Sequence, residues 1–164
     1  MKLSEAVAKR ISQEVGVVFG VTGGAIVNLF DSLSKELKII PLNHEQSCAM
    51  AADTYSRLKG FGVCVGTSGP GATNLITGVA CSWFDSIPLL VIAGQVPRNQ
   101  LKTTKVRQKG FQEVDSISLF RPITKYSGRL TCMKDLEKAI KLAKTGRKGP
   151  VFLEFCDDDQ RKKI

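Results

Sequence analysis

Phe61-Gly62-Val63-Cys64-Val65-Gly66-Thr67-Ser68-Gly69-Pro70-Gly71-Ala72-Thr73-Asn74 decides the fold. Phe61–Val65 is an apolar run of strand length. A glycine-rich turn follows, and residues from Ala72 to Ser82 continue as a helix rich in small residues, hence tightly packed. A strand that turns directly into a helix is one step of a strand–helix–strand crossover, the connection that parallel sheets require. Some two dozen residues upstream, Asn43-His44-Glu45-Gln46 repeats the transition and places a carboxylate where an apolar strand gives way to a helix.

The alternation extends in both directions. Met1 to Val15 has Ser4 as an expected N-cap, with Val7, Ile11 and Val15 on one helical face. Val17-Val18-Phe19-Gly20 is a short strand ending in Gly20-Val21-Thr22-Gly23-Gly24. Ile26, Leu29, Phe30, Leu33 and Leu37 follow helical spacing. Ile39–Leu42 is a second strand that Pro41 ends early, and Cys48, Ala51, Ala52, Tyr55 and Leu58 mark a helix closed by Gly60. Leu89–Ala93 has no polar alternation, so both its faces should be buried. A long polar stretch runs from Gly94 to about Ile117 and reads as a functional loop or contact surface. A short strand at Pro122–Tyr126, a helix from Met133 to Ala143 stopped by Gly146, and a strand at Val151–Phe155 complete the order. Asp157 to Lys163 reads as a frayed edge. The expected class is α/β: three layers, a mostly parallel sheet of about six strands, and helices on both faces.

Composition excludes several classes. The 164 residues fit one domain. No apolar run reaches the roughly 18 residues of a membrane helix, and the first residues lack a signal-peptide core, so a cytoplasmic protein without membrane contact is expected. The five cysteines are scattered without a C-x-x-C pair, which argues against a disulfide framework and a zinc site and for small core residues. The net charge of +9 concentrates in Arg98, Lys102, Lys105, Arg107 and Lys109 and in Arg161-Lys162-Lys163. That basic loop has no aromatic residue before Phe111, so it lacks the stacking platforms of single-strand binders, and no nucleic-acid partner is expected.

Ligands of such sheets bind at the carboxyl ends of the strands. Gly20–Gly24, His44-Glu45-Gln46 and Ser68–Gly71 all fall there. Neither glycine loop is a Walker A loop or a G-x-G-x-x-G fingerprint. Pro70 removes a backbone donor, so its loop reads as a flat platform for a ring. For Glu45, the helix dipole favours the carboxylate, and burial beside Leu42 and Cys48 opposes it. His44, the only histidine, has no nucleophile beside it, and Trp83 and Phe84 read as packing residues.

Val18–Gly24, His44-Glu45-Gln46, Thr67–Asn74, Asp85-Ser86-Ile87-Pro88, Ala93–Pro97, Gly110-Phe111-Gln112-Glu113 and Pro122–Lys125 occur in order. Nearly the whole chain thereby resembles the N-terminal, pyrimidine-binding domain of thiamine-diphosphate-dependent enzymes of the acetolactate synthase type. The resemblance implies a catalytic Glu45 that hydrogen-bonds N1′ of the aminopyrimidine, promoting the imino tautomer that activates the thiazolium for attack on a 2-oxo acid. It carries cofactor contacts onto Thr22, Ser68, Pro70, Gly71, Asn74 and Gln112, with no metal ligand. Val21-Thr22 departs from the aromatic–proline pair common in acetolactate synthases. With Gln112–Asp115 it is more similar to relatives from cell-surface sugar biosynthesis, and a non-catalytic relative is the further alternative. The family holds the diphosphate and its Mg2+ on a separate C-terminal domain through a Gly-Asp-Gly motif, which this sequence lacks. The implied chain is thus one half of a carboligase or decarboxylase site, inactive alone. It would be completed by the diphosphate-binding domain of the same or another subunit in a homodimer or homotetramer. Any FAD would likewise belong to a domain outside this chain.

Overall fold

The computed structural model describes residues 1–164. Six strands form one sheet in the order β2-β1-β3-β4-β6-β5, and every neighbouring pair is parallel. They are β1 Val17–Gly20, β2 Lys38–Pro41, β3 Gly62–Gly66, β4 Leu89–Gln95, β5 Tyr126–Arg129 and β6 Val151–Cys156. The sheet is therefore wholly parallel, where the sequence reading allowed an exception. β3, β4 and β6 are buried along their whole length, as strands covered on both faces must be. β2 is an edge strand, which is why Pro41 is tolerated as its last residue.

Alternate residues of the central strands feed two cores. Val63, Val65, Leu90, Ile92, Leu153 and Phe155 face one side. There they meet α1 (Leu3–Ser12), α2 (Val27–Glu36) and α7 (Met133–Lys144) through Val7, Ile11, Leu29, Leu33, Leu136 and Ile140. Each such fully buried side chain stabilises the fold by about 1.5–3 kcal/mol. Cys64, Val91, Ala93 and Phe152 face the other side, against α3 (Glu45–Lys59), α5 (Ile76–Phe84) and α6 (Ser116–Phe120). The rings of Phe120 and Phe152 stack there at 3.9 Å. α3 and α5 approach closely because Gly78 has no side chain: a Cβ there would lie 2.5 Å from that of Ala49.

Several boundaries differ from the sequence reading, each for a local reason. α1 starts at Leu3, and the carboxylate of Glu5 accepts from the Lys2 backbone at 2.9 Å. Ser4 is not the cap; it is buried and accepts a 3.0 Å bond from the Ser32 hydroxyl. The helix from Ala72 to Ser82 is two pieces, α4 (Pro70–Asn74) and α5, hinged at Leu75. Pro122 lies in a 3-10 turn, Arg121–Ile123, so β5 begins later, at Tyr126. The end of the chain is not frayed. Asp157–Arg161 forms α8, and the fully buried Gln160 side chain bonds Leu29 N, Ala25 O and Phe155 O. Nor are all cysteines core residues: Cys81 is exposed on α5 and Cys132 is half-buried as the residue before α7. No helix is long and apolar enough to cross a membrane.

Candidate functional site

The site is built where β1, β2, β3 and β4 end. His44 precedes α3 in extended conformation, and its Nδ1 accepts from Gln46 N at 3.1 Å. That cap fixes the start of the helix and sets Glu45 as its first residue, turned inward and only 8% exposed. An acid at a helix N-terminus sits at the positive end of the dipole. Asn74, the last residue of α4, donates from Nδ2 to Glu45 Oε2 at 3.0 Å. Oε1 takes no hydrogen bond within the chain and faces Gly71, where a Cβ would come within 3.2 Å of it. Behind it, burial and then the Glu45 charge push the Cys48 thiol up to about 11.

Thr67 joins the loops. A Cβ on Gly71 would meet its Cγ2 at 2.6 Å, and one on Gly23 would meet its Oγ1 at 2.5 Å. The loops after β1 and β3 therefore close on each other only because Gly23 lacks a side chain, and α4 folds back on Thr67 of its own loop only because Gly71 does. Gly69 adds a third contact. Its φ of 58° is open to glycine, and a Cβ there would lie 2.7 Å from the carbonyl oxygen of Gln112. Gln112 itself has φ 58°, a left-handed conformation that few non-glycine residues adopt.

That strained turn is held from behind. Glu113, buried, accepts from the backbone of Lys102 and of Lys109, each at 2.8 Å. Burial alone would raise its carboxyl, but these bonds outweigh it and hold the group below the usual range. Gln95 donates to Val114 O at 2.8 Å and to Glu154 Oε2 at 2.9 Å, while Arg129 pairs with Glu154 Oε1. The long polar stretch is therefore tied at several points; Arg98 adds a 2.7 Å ion pair with Asp159. Between Thr67, Ser68, Val96, Phe111, Gln112 and Asp157 lies a cleft of about 320 Å3. Phe111 is 79% exposed at its rim.

The structure thus gathers Glu45, Gly71 and Asn74 on one side of the β3 loop, and Ser68 and Gln112 on the other. Pro70 opens α4 on the surface beside them. Thr22 is exposed in the β1 loop and makes no hydrogen bond with the cluster, although its neighbour Gly23 abuts Thr67. Thr67 and Glu113 went unread as site residues. The small residues pressed against Thr67 and the position of Glu113 beside Gln112 are the only sequence signals they leave.

A buried carboxylate with one free oxygen, set among glycine loops at the carboxyl edge of a parallel sheet, defines an α/β cofactor-binding domain. The family described as "Thiamine pyrophosphate enzyme, N-terminal TPP binding domain" matches residues 1–119. The chain belongs to that family. It is 41% identical, over its full length, to the "Probable acetolactate synthase large subunit" of Methanocaldococcus jannaschii. It is 42% identical, over 88% of its length, to the "Acetolactate synthase large subunit" of Parasynechococcus marenigrum. "Acetolactate synthase 2, chloroplastic" of Nicotiana tabacum is 35% identical over 99% of the chain. The chain spans 28%, 24% and 25% of these relatives' own lengths.

Proposed function

We propose that the chain is a single pyrimidine-binding domain of a thiamine-diphosphate-dependent carboligase or decarboxylase acting on 2-oxo acids, with Glu45 as its catalytic residue. The observation that carries this reading is the free Oε1 of a buried Glu45, aimed along a face that Gly71 keeps open. When bound, thiamine diphosphate supplies an electron sink for the carbonyl chemistry. Glu45 would present Oε1 to the bound aminopyrimidine and supply the proton control there, and Asn74 fixes the second oxygen so that Oε1 keeps its aim. Pro70 and Gly71 give the ring a flat backbone surface, while Ser68, Gln112 and the exposed Thr22 bound the approach from the adjoining loops. The diphosphate and Mg2+ are held by a part of the protein outside these 164 residues, supplied by the same or a second subunit of an oligomer. The 41% identity to the Methanocaldococcus jannaschii relative, whose name gives the activity, supports 2-oxo acids as the substrate class.

Calorimetric titration with thiamine diphosphate and Mg2+ tests the proposal. The chain is titrated alone and mixed with the remaining length of the Methanocaldococcus jannaschii relative supplied in trans. Weak binding alone, tight binding in the mixture, and loss in Glu45→Ala are expected. No binding in a mixture shown to associate would overturn it.

A further inference from the structure

The amino ends of the strands carry a second concavity, on the edge of the sheet opposite Glu45. Trp83 and Phe84 close α5, Lys125 immediately precedes β5, and Arg147 and Lys148 lie just before β6. These five residues line a pocket of about 260 Å3. Its walls are two aromatic side chains and three cations, with no carboxylate among them.

What marks this pocket is that its cations converge on one recess beside two aromatic rings, and none of Lys125, Arg147 and Lys148 pairs with a carboxylate. The nearest acid in sequence, Asp85, is taken by Arg57 at 2.6 Å. Three unneutralised cations in one recess favour an anion.

Two of the cations are also held in place. Lys125 Nζ donates to the carbonyls of Leu142 and Thr145, while its stem packs beside Gly149. Arg147 uses its Nε on the hydroxyl of Ser86 at 2.8 Å, so both terminal nitrogens of its guanidinium stay free for a ligand. Ser86 adopts φ 59°, a strained turn that aims this hydroxyl. On the other wall, Phe84, the last residue of α5, is 73% exposed. An exposed ring gains by stacking, and a planar fork beside it is suited to phosphate.

We infer that this pocket binds a phosphorylated aromatic ligand of mononucleotide size, ring against Phe84 and Trp83 and phosphate against Arg147 and Lys148. The site lies across the sheet from the Glu45 cluster and does not depend on the proposed catalytic function.

Trp83 is the only tryptophan of the chain, so its fluorescence reports the pocket directly. The full chain is titrated with ADP, with adenosine and with inorganic pyrophosphate, at roughly 0.15 M salt to screen the general attraction of a +9 chain for anions. ADP should give a saturable change, and adenosine or pyrophosphate should bind at least about tenfold more weakly, since each lacks one half of the recognition. Arg147→Ala/Lys148→Ala should weaken ADP by at least about tenfold, the loss of one or more charged hydrogen bonds. Phe84→Ala, an exposed change that leaves the core intact, should weaken ADP but not pyrophosphate. Three results would each overturn the inference: no saturable response to ADP, pyrophosphate binding as tightly as ADP, or wild-type ADP affinity in the double variant. A thiamine diphosphate arm distinguishes an adenine nucleotide from the cofactor as the source of the same chemistry.

Discussion

Gly71→Ala sets two effects of known size against each other. Gly71 is the second residue of α4, and alanine in a helix is favoured over glycine by about 1 kcal/mol. Propensity alone therefore predicts a more stable protein. The new Cβ, however, would stand 2.6 Å from Thr67 Cγ2 and 3.2 Å from Glu45 Oε1. Thr67 cannot turn aside, because its Oγ1 and Cβ already press against Gly23. Overpacking of this kind costs about 1–3 kcal/mol. The net expectation is a loss of about 0–2 kcal/mol, or a melting temperature lower by as much as about 8 °C at this size. Urea denaturation of the four members of a cycle with Thr67→Ser separates the terms. Thr67→Ser removes Cγ2, so Gly71→Ala in that background should be neutral or stabilising, with a coupling of about 1 kcal/mol or more between the two changes. Stabilisation by Gly71→Ala in the parent, or a coupling within the ~0.3–0.5 kcal/mol expected of independent sites, would refute the claim that α4 folds back on Thr67 only because Gly71 lacks a side chain.

Glu113 makes the loop from Arg98 to Gly110 pH-sensitive. Its carboxyl is held below the ordinary value of 4.5, so its contribution is fully present above that value and is lost as pH falls through the lowered one. Hydrogen exchange at the Lys102 and Lys109 amides should accelerate in that acid window, and Glu113→Gln should show the faster exchange already at neutral pH. Unchanged exchange in the variant would contradict the latch. Thiol labelling with an alkylating agent should modify Cys81 first. Cys48, Cys64 and Cys156 are buried, and burial pushes their thiols up, to about 11 for Cys48, well above 9.0 for Cys64 and to about 12 for Cys156. Rapid labelling of any of these three in the folded chain would contradict the packing of the sheet.

The layering was legible because it rests on runs of residues. Leu89–Ala93 shows no alternation, and a strand without alternation has little choice but burial on both faces. The convergence of the Gly20, Glu45 and Gly69 loops followed from topology, since carboxyl ends of parallel strands share one edge. Single-residue geometry was less legible. Ser4 looks like a cap, but a tertiary bond from Ser32 and the burial of α1 decide its role. The tail looks frayed by charge, yet Gln160 gives it three bonds to distant backbone groups that no local pattern encodes. The left-handed Gln112 and its support by Glu113 also depend on contacts with residues 10 or more positions away, such as Lys102. Trp83 and Phe84 read as packing, and the exposure of Phe84 is visible only once α5 is placed on the sheet.

The central claim is that the free oxygen of Glu45 governs a proton on the cofactor. The most direct test is the rate at which the C2 proton of thiamine diphosphate exchanges with deuterium, followed by nuclear magnetic resonance in the chain assembled with the remaining length of a relative. Glu45→Gln should slow that exchange by about 10²–10⁴-fold, the range of positioned acid–base assistance, while Asn74→Ala slows it less. Exchange at the parent rate in Glu45→Gln, with the cofactor shown to be bound, would contradict the account.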